Sequence, residues 1–275
     1  MNVKIVYFSG TGNTKFLSEK LLQKFEEKEV SDIKLVPVED ALNDIRSFEC
    51  ADTILGIGYP VYDLMPPNII MEFVSKLNKT KFQNMAFVFS TYTTNPHDSN
   101  YYIIERLQEK GFHVATQENF KAPGTSSYLY SNPDYPIVKG KSVFRTGINQ
   151  QIDNFVINIL DSNNRADIPI QYQRLHKFYQ TISKITFGNL FYRNLKKNNN
   201  CNNCGQCVKS CPTSNLIIQE GELIIKNTNG CMSCLRCVQT CNKKAINFTS
   251  SKRRGSYTRE KIENAYNNAV KTNDR

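Results

Sequence analysis

The sequence predicts an α/β fold, a doubly wound parallel five-stranded sheet, with a second, smaller α+β domain behind it. Three observations carry this expectation. First, Val3-Lys-Ile-Val-Tyr-Phe8 alternates like a strand and runs through a Gly-rich turn into a helical pattern. Second, strand-like and helical segments go on alternating to about residue 160, the order a parallel sheet requires. Third, the composition then changes abruptly. Residues 1–160 hold 16 Lys+Arg against 18 Asp+Glu, whereas residues 161–275 hold 19 against 7. Eight of the nine cysteines fall between Cys201 and Cys241, and only Cys50 lies outside. The shift predicts a boundary near 161–200 and four parts: 1–160, a linker at 161–196, a cysteine-rich domain at 197–250, and a basic, partly helical tail at 251–275.

Composition excludes several classes. A 275-residue chain that is 40% hydrophobic, with 16 Phe and 14 Tyr, can build packed cores. No run approaches the ~18 apolar residues of a membrane span. No basic, apolar and small-residue segments line up as a secretory leader, so the expected location is cytoplasmic. The net charge of +10 and pI of 9.1 raise nucleic-acid binding as a class, but charge is its only support.

In the first helical pattern, Phe16, Leu17, Leu21 and Phe25 share one face. Strand, turn and helix together make an anion site, with backbone N–H groups and a helix N-terminus directed at a phosphate. A Rossmann fingerprint would need glycine where Lys15 stands, and Gly10 and Gly12 cannot be fitted to a Walker A loop. What is left is a loop of hydroxyls, glycines and one amide: Ser9, Gly10, Thr11, Gly12, Asn13 and Thr14. Such a loop can wrap one monoester phosphate with neutral donors.

Ser9-Gly-Thr-Gly-Asn-Thr14 resembles the flavodoxin loop that binds the phosphate of FMN. The resemblance implies a flavodoxin-like sheet with the flavin at the carboxyl edge of its strands. Two further loops would hold the ring system. Thr53-Ile-Leu-Gly-Ile57 reads as a buried third strand and opens into Gly58-Tyr-Pro-Val-Tyr-Asp-Leu-Met-Pro66; Met85-Ala-Phe-Val-Phe89 reads as a fourth and opens into Ser90-Thr-Tyr-Thr-Thr94. Tyr59, Tyr62 and Tyr92 are then the residues to stack on or edge the flavin. Backbone groups around Pro60 and Val61, and around Ser90, Thr91, Tyr92 and Thr93, would meet its polar rim. Helices are expected near 13–28, 66–78, 99–110 and 143–160, with a fifth strand at Phe112 to Lys121. The Pro-, Tyr- and Ser-rich stretch from Ala122 to Pro136 reads as a surface loop in preference to a lid.

The cysteines form two runs, Cys201-x2-Cys204-x2-Cys207-x3-Cys211 and Cys231-x2-Cys234-x2-Cys237-x3-Cys241, the second repeating the spacing of the first. Disulfides are a poor reading without a secretory leader. Zinc prefers two well-separated ligand pairs, whereas each run here puts three cysteines on one compact loop with a fourth just beyond. The spacing resembles that of bacterial ferredoxins with two [4Fe–4S] clusters. The resemblance implies that Cys201, Cys204, Cys207 and Cys241 hold one cluster and Cys231, Cys234, Cys237 and Cys211 the other. The chain reversal this swap needs is expected in a hairpin at Leu216–Ile225, turning at Glu220-Gly221. Pro212 of the first run is replaced by Asn242 in the second, which touches no ligand.

The remaining features have plain readings. Leu175, Phe178, Tyr179, Ile182 and Ile185 suggest a connecting helix packed on one of the domains, and Lys196 to Asn200 a polar linker. Ile262, Ala265, Tyr266, Ala269 and Val270 suggest a weakly amphipathic helix. Lys252-Arg-Arg254 reads as solvated surface or, more sharply, as a docking patch for an acidic redox partner. Cys50 is expected to be a buried small hydrophobe, and His97, His113 and His176 to stand apart from any carboxylate or cysteine motif, so that no catalytic His-Cys or His-Ser arrangement is expected.

Together the two parts resemble the flavodoxin–ferredoxin fusion proteins of anaerobic bacteria. The function this implies is electron transfer between FMN, two [4Fe–4S] clusters and a redox partner protein, with no catalytic side chains. The alternative is an FMN-dependent reductase of an organic acceptor, fed through its own clusters. No second dinucleotide fingerprint points to direct use of NAD(P)H. Counting about −2 for each cluster and up to about −2 for the FMN phosphate, the loaded protein would fall from +10 to roughly +4. The basic half then compensates its own cofactors, which removes the reason to invoke DNA.

Overall fold

Residues 2–30, 32–50, 52–80, 84–125, 129, 143–161, 166–173, 195–226, 231–248 and 255–271 are described by the computed structural model. Five parallel strands form the main sheet: β1 (Asn2–Tyr7), β2 (Asp32–Pro37), β3 (Thr53–Pro60), β4 (Met85–Tyr92) and β5 (His113–Lys121). Their order is β2-β1-β3-β4-β5, the flavodoxin-like arrangement. The chain winds outward in opposite directions from β1 and from β3, so a crevice opens between their carboxyl ends.

The helices are α1 (Asn13–Glu27), α2 (Val38–Ala41), α3 (Asn68–Lys76), α4 (Ser99–Glu109) and α5 (Ile148–Leu160). They cover both faces of the sheet, which explains why β3 is buried along nearly its whole length. One core lies between the sheet, α1 and α5 and contains Phe16, Leu17, Phe87, Phe89 and Phe155. The other lies between the sheet, α3 and α4 and contains Leu55, Ile57, Phe73, Ile103 and Leu107. Two helices start later than the spacing predicts. Pro67 stands as the N-cap of α3 with extended backbone, and Gly147, at φ 82°, starts α5 only at Ile148.

The second part is small. β6 (Leu195–Lys197) pairs antiparallel with β9 (Ile246–Phe248), and β7 (Leu216–Gln219) pairs with β8 (Glu222–Ile225). Glu220 and Gly221 both take positive φ, at 52° and 79°, as a type I′ hairpin turn requires. Each cysteine run ends in a short helix, α6 (Gln206–Ser210) and α7 (Arg236–Thr240). The duplication extends to the backbone. Left-handed residues occur at Asn203, Gly205 and Ser214 in the first run and at Ser233, Leu235 and Lys244, the equivalent positions, in the second. Ser210 and Thr240, also equivalent, meet at 3.1 Å between the two helices.

Several sequence expectations are corrected. Of the expected polar linker, Lys196 and Lys197 belong instead to strand β6, whose partner β9 lies beyond the second run. The amphipathic pattern of the tail is helix α8 (Arg259–Lys271), and its apolar face packs into the first core. Ile262, Ala265, Tyr266 and Ala269 are buried there, and the Tyr266 ring sits 5.1 Å from that of Phe16. Arg259 pairs with Glu19 of α1, and the Tyr266 hydroxyl donates to Asn149 of α5. Cys50 is exposed: it occupies the turn before β3, where its carbonyl accepts from Thr53 N and Asn84 Nδ2. The described histidines do have carboxylate neighbours. His113 lies 2.9 Å from Asp167, and His97 3.8 Å from Asp98. The stripe from Leu175 to Ile185, His176 and Lys252-Arg-Arg254 lie outside the described residues. Among the described residues, no helix is long and apolar enough to cross a membrane.

Candidate functional site: a flavin-sized cleft against two thiol cavities

At the carboxyl edge of the sheet, a cleft of about 530 Å³ is lined by residues from five segments. That volume lies in the range of small-molecule sites, about 300–1,000 Å³. The first segment is the β1–α1 loop, contributing Ser9, Gly10, Thr11, Asn13 and Thr14. Gly12, at φ 114°, is the N-cap of α1 and provides no side-chain acceptor, and the first turn holds no acidic residue. The leading amides of a 15-residue helix therefore face no competing carboxylate from the helix itself. The Ser9 hydroxyl accepts from Gly12 N at 3.1 Å, closing the loop on itself.

The loop is stitched to its neighbours by neutral hydrogen bonds. The Thr14 and Thr91 hydroxyls meet at 2.9 Å, those of Thr11 and Thr125 at 2.5 Å, and Asn13 Nδ2 donates to the Pro123 carbonyl at 2.7 Å. On its other side Asn13 accepts from the Tyr257 hydroxyl. Past β3, Pro60, Val61, Tyr62, Asp63 and Leu64 line the cleft. Asp63 and Leu64 are both left-handed, and Tyr62 and Met65 exchange backbone hydrogen bonds across them. Past β4 come Thr91, Tyr92, Thr93, Thr94 and Asn95, with Val61 N bonded to the Thr91 carbonyl at 2.8 Å.

Three of the residues expected from sequence do not line this cleft. Tyr59 is fully buried in the α3–α4 core, and its hydroxyl donates to Asn100 Oδ1 at 2.8 Å. It belongs to the strand proper, so the pleat sends it inward. Ser90, its partner on β4, is buried as well and donates to Asn119 Oδ1 at 2.6 Å. Gly12 lies behind the loop, where an added Cβ would come within 2.9 Å of Ile262 Cδ1 of α8.

Other lining residues were not foreseen. Ala122, Pro123, Gly124 and Thr125 form a wall, and Leu129 is fully buried in the core of the cysteine-rich part beside Leu216 and Leu235. The described portion of this stretch is thus a wall and an anchor, not a surface loop. Ser233, Cys234 and Leu235 complete the cleft from the second cysteine run. A Cβ at Gly10 would overlap both the Tyr62 hydroxyl and the Cys234 carbonyl. Tyr62 is half-buried, edge-on to Phe8 at 6.4 Å. Burial, followed by the neighbouring Cys234, raises its phenol well above the usual value.

The thiols gather in two cavities. Cys201, Cys204, Cys207 and Cys241 line one, and Cys211, Cys231, Cys234 and Cys237 line the other. Among the described residues, no three His, Cys, Asp or Glu side chains converge as they would on a single metal ion. The all-thiolate donor sets suit iron–sulfur chemistry. Backbone amides already aim at sulfur: Asn215 N lies 3.3 Å from Cys211 Sγ and, at the equivalent place in the second run, Ala245 N lies 3.2 Å from Cys241 Sγ. Burial raises the Cys207 and Cys237 thiols and pushes Cys234 up to about 11. Loading such thiols must displace protons.

A family model described as a 4Fe-4S dicluster domain matches residues 193–254. No curated protein matches the chain. Among solved structures, the chain is similar to a flavodoxin from Streptococcus pneumonia TIGR4, with 16% identity and a TM-score of 0.43 over 58% of this chain and 98% of that one. It is also similar to oxidised Flavodoxin 2 from Bacillus cereus, with 15% identity and a TM-score of 0.42 over 58% of this chain and 99% of the other. These similarities concern the fold of the first part, which its strand order already establishes. One polypeptide thus joins a flavodoxin-like sheet to a 4Fe-4S dicluster segment, the composition of a flavodoxin–ferredoxin fusion.

Proposed function

We propose that the chain is an electron-transfer flavo-iron–sulfur protein, passing electrons between FMN in the cleft, two [4Fe–4S] clusters and a redox partner protein in cytoplasmic, anaerobic metabolism. One observation carries the reading: the residues that line the cleft beside the phosphate loop include Cys234, a thiol of the second cavity. When bound, FMN supplies exchange of one or two electrons and the clusters exchange of single electrons. The chain's own residues bind, space and shield these groups. Ser9, Thr11, Asn13, Thr14 and the leading amides of α1 would hold the phosphate with neutral donors. Pro60 to Tyr62 and Thr91 to Thr93 would hold the ring. Cys201, Cys204, Cys207 and Cys241 would hold one cluster, and Cys211, Cys231, Cys234 and Cys237 the other.

Oxygen-free purification followed by assay of iron, sulfide and FMN tests the reading, together with reduction by NADH, NADPH or reduced ferredoxin. The expected result is FMN, iron and sulfide together, with rapid reduction by reduced ferredoxin. Zinc in place of iron sinks it. A second reading, an FMN-dependent reductase of an organic acceptor, draws on Ala122 to Thr125, which line the cleft and would there help to shape a substrate pocket. Steady turnover of a small acceptor without a partner protein favours that reading.

A further inference from the structure

The cleft is not built by the flavodoxin-like part alone. Ser233, Cys234 and Leu235 supply one wall, and Gly10 is pressed so closely to the Cys234 carbonyl that it has no room for a side chain. The next residue, Arg236, fastens the two parts. Its guanidinium pairs with Glu39 of α2 at 2.5 Å and donates to the Ser9 carbonyl at 2.9 Å. It also lies over the Phe8 ring, 4.9 Å from the centroid. One side chain of the cysteine-rich part thus grips the first residue of the phosphate loop, the residue before it, and a helix of the first fold. The pair is largely sheltered, with 23% of the arginine side chain and 28% of the glutamate exposed. Charge-assisted hydrogen bonds of this kind are among the stronger ones. The equivalent position in the first run is Gln206, which brings no charge.

We infer that the cleft is a composite site in which FMN binding and iron–sulfur loading of the second run are coupled, with Arg236 as the positioning residue. The inference rests on the cofactor assignment proposed above. Cys231, Cys234 and Cys237 lie on the segment that carries Ser233, Leu235 and Arg236, so loading the thiols orders the wall. An ordered segment sets Arg236 against Ser9, and Ser9 in turn holds Gly12 N. FMN then meets a finished cleft; without the cluster it must bear the cost of ordering that wall. Coupling of binding equilibria is reciprocal, so FMN must also strengthen retention of iron.

The experiment uses the full chain, freed of flavin without oxygen and titrated with FMN by fluorescence quenching. One sample keeps its iron and the other has lost it to a chelator. FMN binding is expected to weaken about tenfold or more in the iron-free protein. Arg236→Gln, with iron retained, moves the affinity toward the iron-free value and changes nothing in the iron-free protein. Arg236→Lys recovers part of the loss, since an ammonium can keep Glu39 but cannot also reproduce the planar contact with Phe8. Glu39→Gln breaks the same pair from outside the cysteine runs, giving a smaller loss confined to the iron-loaded form. It carries the test should Arg236→Gln shed its iron. Equal affinity in loaded and iron-free wild-type protein overturns the coupling. Unchanged affinity in the iron-loaded variants, or an equal loss in their iron-free forms, overturns the part assigned to Arg236. A wild-type chain that takes up no FMN, or no iron, refutes the functional reading itself and this inference with it.

Discussion

Tyr59 and Tyr62 both stand near the end of one strand, yet only Tyr62 reaches the cleft. Replacing Tyr59 with Phe strands Asn100 Oδ1 in the core and is expected to lower stability by about 1–3 kcal/mol in urea denaturation. FMN affinity should not move, and a loss there contradicts the buried placement. Gly10→Ala is expected to do the reverse. Its new methyl must displace Tyr62 or the Cys234 backbone, so FMN binding weakens by about tenfold or more in a fluorescence titration. The phosphate loop was legible because neutral donors, glycines and a helix start lie consecutively in the chain. Which tyrosine faces the cleft was not, because the face depends on where the pleat ends. Ser233, Leu235 and Arg236 were missed for another reason: they come from a segment close to the opposite end of the chain. A signal for them did exist. Gly205 and Gln206 of the first run become Leu235 and Arg236 in the second, and the side of the duplication that departs is the side meeting the cleft.

At the scale of elements, the two runs exchange their last cysteines. Cys211 lines the cavity of the second run and Cys241 that of the first. Cys211→Ser is therefore expected to disturb the second site most, removing about half of the iron while a second set of cluster signals persists in electron paramagnetic resonance. Loss confined to the signals of the first run contradicts the exchange. The regular strands and helices were readable from periodicity, but β2 was not named. It is an edge strand as long as β1, but with Ile33 and Leu35 only half-buried between exposed Asp32 and Lys34, and it runs straight into the short helix α2 without a glycine-rich turn to mark it. Helix α8 was recognised as amphipathic, but pattern alone could not say what its apolar face covers. Ile262→Ala is expected to cost about 2–5 kcal/mol of stability, measured by thermal or urea unfolding of the first domain. An unfolding midpoint indistinguishable from that of the wild type contradicts its burial against α1.

For the whole molecule, the charge asymmetry, the cysteine spacing and the strand–turn–helix start made both halves legible. Their mutual placement was not, since it rests on a few contacts such as Arg236 with Glu39 and Tyr257 with Asn13. With the second cysteine run in the cleft wall, electron exchange between the two parts is expected to be intramolecular. After a flash of reductant, its rate should stay constant across a tenfold range of protein concentration; a rate proportional to concentration contradicts the arrangement. Helix α8 adds a consequence for how the chain is made. The apolar surface that it covers is complete once α5 is made, roughly a hundred residues before α8, which at about 5–20 residues per second is about 5 to 20 s on the ribosome. During that interval Phe16 and Phe144 lack their cover, while the cysteine-rich segment is already emerging. The last element of the first fold is therefore made after both cysteine runs, and a chain cut short before Arg259 would leave that apolar surface open to solvent.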